Sequence, residues 1–419
     1  MQRQENQLIF SPSDLVTYLE GDFASWMDRL YAERQTGQTT AIDQAHASHA
    51  PLLAIRPDES DEEMQLVAQK GQEHEQEFLQ HLIEEGREVV QIPQGQNAAG
   101  LTVDAMKAGK EIIYQARLQD ETFMGYTDFL FRCEGRSNFG NYYYSPLDTK
   151  LAQSAKPYFI IQLCAYADML ETVQGVRPPY FEFVLGKGKS NNSGEYSRQR
   201  FQTDSFFHYY RRFRQSFLEF QQNFDPAQMP DPGLEHDFGR WSTQALAILE
   251  SSDHLSRVAR ITRNQIKRLC AGGIETMSAL AVTTQTRIPK IKDDTFDQLK
   301  TQAKLQIESR GLDKPKYLIV SPQSDDPRRG LALLPPPSEH DIFFDMEGFP
   351  LVENGLEYLF GAIAIENSKP CFHDWWAHDT VQEKAAFEEF IDWAHARWKQ
   401  NPSMLSLIHI SEPTRLRRI

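Results

Sequence analysis

The sequence predicts an α/β protein: a mixed sheet flanked by helices, then a helical region, then a smaller α/β unit. Helical apolar spacing brackets a run of short β-prone segments within residues 8–224. Two Pro-rich stretches, DPAQMPDPG (225–233) and PPPSEH (335–340), interrupt the chain. The segment between them is mostly helical in pattern, and the segment after the second returns to strand-like runs. The expected boundaries are 1–225, 226–335, 336–404 and a terminal stretch, 405–419.

SPSDLVTYLEGDFASWMDRLYAER (11–34) opens on capping residues and spaces Leu15, Leu19, Phe23, Trp26 and Leu30 along a helical stripe. DEEMQLVAQKGQEHEQEFLQHLIEEG (61–86) is a long helix closed by Gly86. Strand candidates follow at EVVQI (88–92), IIYQARL (112–118), FMGYTDFLFR (123–132) and YYYSPLDTK (142–150). A helix after Pro157, strands YFEFVLG (180–186) and YSRQRFQT (196–203), and an aromatic helix, SFFHYYRRFRQSFLEFQQNF (205–224), complete the first module. Later, DIFFDMEGFP (341–350), LEYLFGAIAI (356–365) and CFHDWWA (371–377) form an antiparallel meander before the helix TVQEKAAFEEFIDWAHARW (380–398). The end, SLIHISEPTRLRRI (406–419), departs from this pattern and resembles translated sequencing-adapter sequence. Residues 405–419 are therefore expected to be an artefactual tail, with the natural protein continuing differently past Met404.

Apolar, aromatic and charged fractions of 40%, 11% and 25% are those of a globular protein with proper cores. The N-terminus lacks the basic start and apolar run of a signal peptide. No stretch approaches the roughly 18 apolar residues needed to cross a bilayer, so a cytoplasmic protein without membrane partners is expected. Cys133, Cys164, Cys270 and Cys371 lie far apart, which argues against a disulfide framework or a zinc ribbon. A net charge of −15 counts against a protein that coats nucleic acid by bulk attraction. A nuclease stays open, because metals and local basic patches can supply the positive field. HLSRVARITRNQIKRLCAGGI (254–274) is such a patch, with Arg257, Arg260, Arg263, Lys267 and Arg268 and no acid.

Cleaving a phosphodiester needs a metal to organise the attacking water, and a cation near the nucleophile or the scissile phosphate. Oxygen-rich sites suit Mg²⁺ or Mn²⁺. Asp128 sits among apolar neighbours in GYTDFLF. Asp148 and Lys150, two apart in SPLDTK, leave the same face of their strand. Gln162 and Tyr166, four apart on the next helix, can lean over that face. His74 and Glu75, in KGQEHEQEFL, offer an imidazole and a carboxylate from the long helix. Two alternatives are a surface Asp148–Lys150 ion pair with Asp128 as a strand-end cap, and a fold that binds DNA without cutting. The intact Lys150 argues against the second.

On SPSDLVTYL, GQEHEQEFL, GYTDFLF, DTK and QLCAY, residues 8–224 resemble a RecB-like nuclease of the PD-(D/E)XK superfamily, whose RecB-like branch carries the Gln-x-x-x-Tyr element. The resemblance implies a restriction-endonuclease-like sheet and DNA cleavage dependent on Mg²⁺ or Mn²⁺. It makes His74, Asp128 and Asp148 metal ligands, with the Leu147 carbonyl as a further one. Lys150 would orient or activate the water. Gln162 and Tyr166 would position the catalytic strand or the substrate phosphate, and Glu75 falls at the family's helical acid. Asp148 stands where many members carry Glu. Iron–sulfur members carry a Cys near the opening helix and three after the Gln/Tyr helix. Here Gly21-Asp22-Phe23 occupies the first place and no trio follows Tyr166, so no iron–sulfur cluster is expected.

ITRNQIKRLCAGGIETMSALAVTTQTRIP (261–289) is similar to a helix-hairpin-helix element and overlaps the basic patch. Hairpin backbone N–H groups at Gly272 and Gly273, with Arg260, Arg263, Lys267 and Arg268, would then meet DNA phosphates. A plain αα-corner with a Gly C-cap is the alternative. In DIFFDMEGFP, Asp345 and Glu347 resemble the first motif of DEDD-type, ribonuclease-H-like 3′–5′ exonucleases, which use two metals. Glu357 and Asp379 do not fit the remaining pattern, so this module is expected to be truncated and inert. The module order resembles a bacterial family of RecB-like nucleases whose full-length members continue into a superfamily-1 helicase. No Walker A motif occurs here.

The expected function is therefore a metal-dependent DNA nuclease, an exonuclease or flap-trimming enzyme acting on single strands or ends in repair or recombination. Its partner would be a helicase, in the same full-length chain or a separate one. The rivals are a non-catalytic DNA-binding scaffold serving a helicase, and an exonuclease whose activity resides in the Asp345/Glu347 module.

Overall fold

Two short strands, β1 (Gln2–Gln4) and β2 (Gln7–Ile9), pair antiparallel at the start of the chain. The computed structural model describes residues 1–4, 7–35, 55–60, 62–186, 196–235, 237–320, 336–349, 352 and 355–408. These form two compact units, the first taking the described residues up to Leu318 and the second those from Ile319 onward. Of the terminal stretch, residues 409–419 lie outside the described residues, as does Pro335 of the second Pro-rich stretch.

The opening helical stripe is two helices rather than one. Helix α1 (Pro12–Glu20) begins at a capping box, with Asp14 N–H donating to Ser11 Oγ and Ser11 N–H to Asp14 Oδ2. Helix α2 (Asp22–Gln35) follows after Gly21. A Cβ on Gly21 would stand 2.0 Å from Glu235 Oε2, and Glu235 Oε1 accepts the Phe23 N–H at 2.8 Å. The break is thus set by a carboxylate far along the chain, which satisfies a donor at the start of α2.

Helix α3 (Glu62–Glu84) precedes β3 (Val89–Gln91), α4 (Ala98–Lys107), β4 (Ile112–Gln119), β5 (Met124–Ser137) and β6 (Gly140–Lys150). Helix α4 had no sequence expectation; it buries Ala98, Thr102 and Met106 along one side. Next come α5 (Pro157–Gln174), β7 (Tyr180–Leu185), β8 (Ser197–Gln202) and α6 (Asp204–Gln222). Pro157 starts α5, where its missing N–H costs nothing, and Gly175 ends it at φ 71°, a left-handed conformation natural to glycine.

The first unit's main sheet runs β3-β4-β5-β6-β7-β8. It is mixed: β3 and β4 pair parallel, β4 through β6 antiparallel, β6 and β7 parallel, and β7 and β8 antiparallel. The parallel step from β6 to β7 is bridged by α5, as a crossover requires. Helix α3 covers one face, with Phe78 and Leu82 against Tyr114, Phe129 and Leu147. Residues of α1, α4, α5 and α6 cover the other, among them Leu15, Met106, Leu163 and Phe217.

The first Pro-rich stretch is a packed turn. Trp241, just beyond it, is buried with Phe23, Trp26 and Leu30 of α2, and its Nε1–H donates to Asp28 Oδ1 at 2.9 Å. The helical region, α7 (Ser242–Ser251), α8 (Arg263–Ala271), α9 (Met277–Val282) and α10 (Asp293–Glu308), has a core of its own around Leu269, Leu280 and Phe296.

The second unit carries β9 (Ile342–Phe349), β10 (Leu356–Glu366) and β11 (Lys369–Trp376) as the expected meander, then α11 (Thr380–Gln400). A fourth strand, β12 (Ser406–Ile408), pairs parallel with β9, so the first residues of the terminal stretch do join a sheet. Helix α11 covers one sheet face, where the Phe390 and Phe344 rings stack at 4.0 Å. No helix among the described residues is long and apolar enough to cross a membrane.

Candidate active site at the strand fork

Strands β5 and β6 pair from Ser137↔Gly140 up to Phe129↔Leu147 and then part. Asp128 and Asp148 stand just past that last pair, where main-chain groups lose their ladder partners and must be satisfied otherwise. Each acid serves the opposite strand. Asp148 Oδ1 accepts the Asp128 N–H at 3.3 Å, and Asp128 Oδ2 accepts the Thr149 N–H at 2.8 Å. The hydroxyls of Thr127 and Thr149 add bonds to Asp148 Oδ1 and Asp128 Oδ2, at 3.4 Å and 2.9 Å.

Lys150 turns inward: its Nζ donates to Asp148 Oδ2 at 3.0 Å and lies 5.3 Å from the centroid of the Phe159 ring. Asp148 is 1% exposed, which sets this contact apart from a solvated surface ion pair. Burial alone would lower the Lys150 ammonium, but the charges of Asp148 and Asp128 outweigh it and hold Lys150 above the usual lysine range. Burial, and then the Asp148 charge, push the Asp128 carboxyl well above its ordinary range, with Lys150 opposing.

Helix α3 contributes Glu75, whose charge acts on both Asp128 and Lys150. Its Oε1 accepts a bond from Gln115 Nε2 of β4. Tyr114 bonds the same carboxylate and accepts from Gln76 Nε2 at 2.7 Å. Burial pushes the Tyr114 phenol up. His74, one residue before Glu75, is buried, with its ring 6.1 Å from that of Tyr196.

Helix α5 contributes Tyr166, which is buried and donates its hydroxyl to the Tyr126 carbonyl at 2.5 Å; Gln162 bonds the same hydroxyl. Tyr126 is two residues before Asp128, so this pair holds the strand that carries the acid. Gly125 makes the approach possible, because a Cβ there would meet Tyr166 Cε1 at 3.0 Å and Pro12 Cδ at 2.9 Å.

The structure therefore joins Asp128, Asp148, Lys150, Glu75, Gln162 and Tyr166 in one electrostatic and hydrogen-bonded neighbourhood. Sequence reasoning does not single out Gln115, Tyr114, Thr127 or Thr149, and only the two threonines, inside GYTDFLF and DTK, carry a local signal. Asp128 and Asp148 are carboxylate donors suited to a hard divalent cation, to which His74 of α3 would add an imidazole. Asp148's bonds from the Thr127 hydroxyl and the Asp128 N–H, at 3.4 Å and 3.3 Å, are long enough to yield to such an ion, whereas Asp128's bonds from Thr149 are of ordinary length at 2.8 Å and 2.9 Å. Among the described residues, no three His, Cys, Asp or Glu side chains form a ready-made metal cluster. His74, Asp128 and Asp148 would have to close together on an ion.

The basic patch lies in the helical region. Arg260, Arg263 and Lys267 are exposed, whereas Arg268 is half-buried and donates to the Lys290 carbonyl at 2.5 Å. The amides of Gly272, Gly273 and Ile274 all donate to carbonyls of Arg268, Leu269 or Cys270. These N–H groups were expected to face phosphate; they are instead spent on the C-terminal cap of α8. In the second unit, Asp345 and Glu347 are exposed on one side of β9, in a groove of about 610 Å³ shared with Phe343, Ile363 and Phe372.

No family model matches this chain, and no curated protein matches it.

Proposed function

We propose that this chain is a metal-dependent DNA nuclease of the RecB-like PD-(D/E)XK type, acting on single strands or ends. The observation that carries the proposal is the fork: two acids bonded across parting strands, with a lysine ammonium directed inward at 3.0 Å from one of them. Packing has no need of such an arrangement, since it places like charges together at the cost reflected in Asp128's raised carboxyl.

His74, Asp128 and Asp148 would hold Mg²⁺ or Mn²⁺, and such an ion, when bound, supplies charge that polarises a phosphodiester and activates water. Lys150, held charged by its two acids, would fix the attacking water or offset charge growing on the phosphate oxygens. Glu75 would accept a hydrogen bond from that water on the α3 side. Gln162 and Tyr166 keep the Asp128 strand in place. Arg260, Arg263 and Lys267 offer phosphate contacts independent of base sequence. A helicase partner and a role in repair or recombination rest on the module order alone.

The test is degradation of labelled single-stranded DNA with Mn²⁺ or Mg²⁺. Asp148→Ala and Lys150→Ala should each lower cleavage by about 10²- to 10⁴-fold while sparing binding. Asp345→Ala with Glu347→Ala should leave cleavage unchanged, which separates the fork from the second unit. A wild-type protein that binds DNA and never cuts it in any metal would establish the scaffold instead.

A further inference from the structure

Strand β4 changes face partway along. Ile112 and Tyr114 pack in the layer under α3, whereas Ala116 and Leu118 pack in the opposite layer with α5. Regular alternation would keep all four on one side. The change falls at Gln115, whose φ is 54°, in the left-handed region. The other five described non-glycine residues with positive φ all lie in turns; Gln115 alone sits within a strand. Pairing with β5 keeps its register on either side, at Tyr114↔Phe129 and Ala116↔Thr127, which sets Gln115 opposite Asp128.

Glycine would hold this backbone without strain, so the glutamine side chain is what the position gains. Its Nε2 donates to Glu75 Oε1. An amide there orients the carboxylate and leaves its negative charge intact, whereas Lys or Arg would neutralise it. Resting on the nuclease proposal, we infer that Gln115 is a positioning residue, held in a strained backbone so that its amide aims Glu75 at the Asp128–Lys150 neighbourhood. Glu75's charge acting on both of those groups agrees with that role.

The test uses the full chain as wild type, Gln115→Gly, Glu75→Gln and the double variant. Three readouts are needed: metal-free melting temperature, the Mn²⁺ concentration giving a half-maximal melting shift, and kcat and KM on single-stranded DNA. Gln115→Gly should melt at or above the wild type, because glycine accepts the left-handed backbone. Its kcat should fall about 10- to 100-fold, with KM changed far less and with more Mn²⁺ required. In the Glu75→Gln background the same change should cost little more, as expected of two residues acting through one hydrogen bond. A Gln115→Gly protein that cleaves like wild type overturns the inference, and so does one whose lost activity merely tracks a lowered melting temperature. Wild-type protein that neither cleaves nor shifts with any metal removes the nuclease proposal itself, a separate failure.

Discussion

The backbone N–H of Asp128 donates to Asp148 Oδ1, and Asp128 in turn takes the N–H of the residue after Asp148. Each acid is therefore fastened to the other's strand, and the two charges cannot relax apart. Asp128→Asn keeps an oxygen for the Thr149 N–H and removes one of the like charges. In metal-free buffer at pH 8 it should melt higher than wild type, by roughly 2–4 °C for each kcal/mol of repulsion relieved. Cleavage should fall by about 10² or more. Thermal melting alongside the cleavage assay reads both, and a lower melting temperature would mean that the fork holds its charges without cost.

Gly125 sits between two helices, on the strand that carries Asp128. A methyl group there would press on Pro12 of α1 and on the Tyr166 ring of α5. Gly125→Ala should cost about 1–3 kcal/mol, the usual penalty of overpacking, measurable by denaturant unfolding. Its activity should drop below what unfolding explains, because the Tyr166–Tyr126 bond sits beside Asp128.

Burial pushes the Glu235 carboxyl from its ordinary 4.5 up to about 7, against the hydrogen bond it takes from Phe23. The folded protein then holds this proton more tightly than the unfolded chain does. Stability contributed by the group is present below pH 4.5, is lost as pH rises from there to about 7, and is level above. Glu235→Gln keeps an acceptor for Phe23 and removes the titration. Melting curves from pH 5 to 8 should show the variant gaining on the wild type as pH rises; parallel curves would refute the shift.

Arg260, Arg263 and Lys267 project into solvent, whereas Arg268 is tied to the Lys290 carbonyl. Replacing the first three with Ala should weaken binding to any single strand equally. The salt dependence of log K should flatten by about 0.7 for each phosphate no longer neutralised. Salt titrations of fluorescent oligonucleotides test this, and kcat should hold. Arg268→Ala should instead show itself in melting temperature.

Much of the candidate site was legible because its parts are local. Asp148 and Lys150 share a strand face through the two-residue period, and Gln162 and Tyr166 share a helix face through the four-residue one. Amphipathic spacing likewise made α3 and α6 readable, and runs of apolar residues did so for α5 and the β9–β11 meander. Gln115 carried no such signal, since IIYQARL reads as an ordinary strand and the reversal within it comes from packing against two different layers. Helix α4 escaped because Gly100 and Thr102 weaken its propensity, and its core-facing side supplies the rest. The Gly272–Gly273 turn was read for exposed amides, but whether an N–H is free depends on the carbonyls nearby, and α8 uses them all.

By itself the sequence determined the class of the fold, the order of its main elements and which acids and lysine could share a face, because periodicity and cap chemistry act within a few residues. Only the tertiary structure decided that β5 and β6 part beside Asp128, that Glu235 breaks the first helix from more than 200 positions away, and that Gln115 reaches Glu75. Those outcomes depend on which distant groups are left without hydrogen-bond partners once the layers close, and no local pattern encodes that.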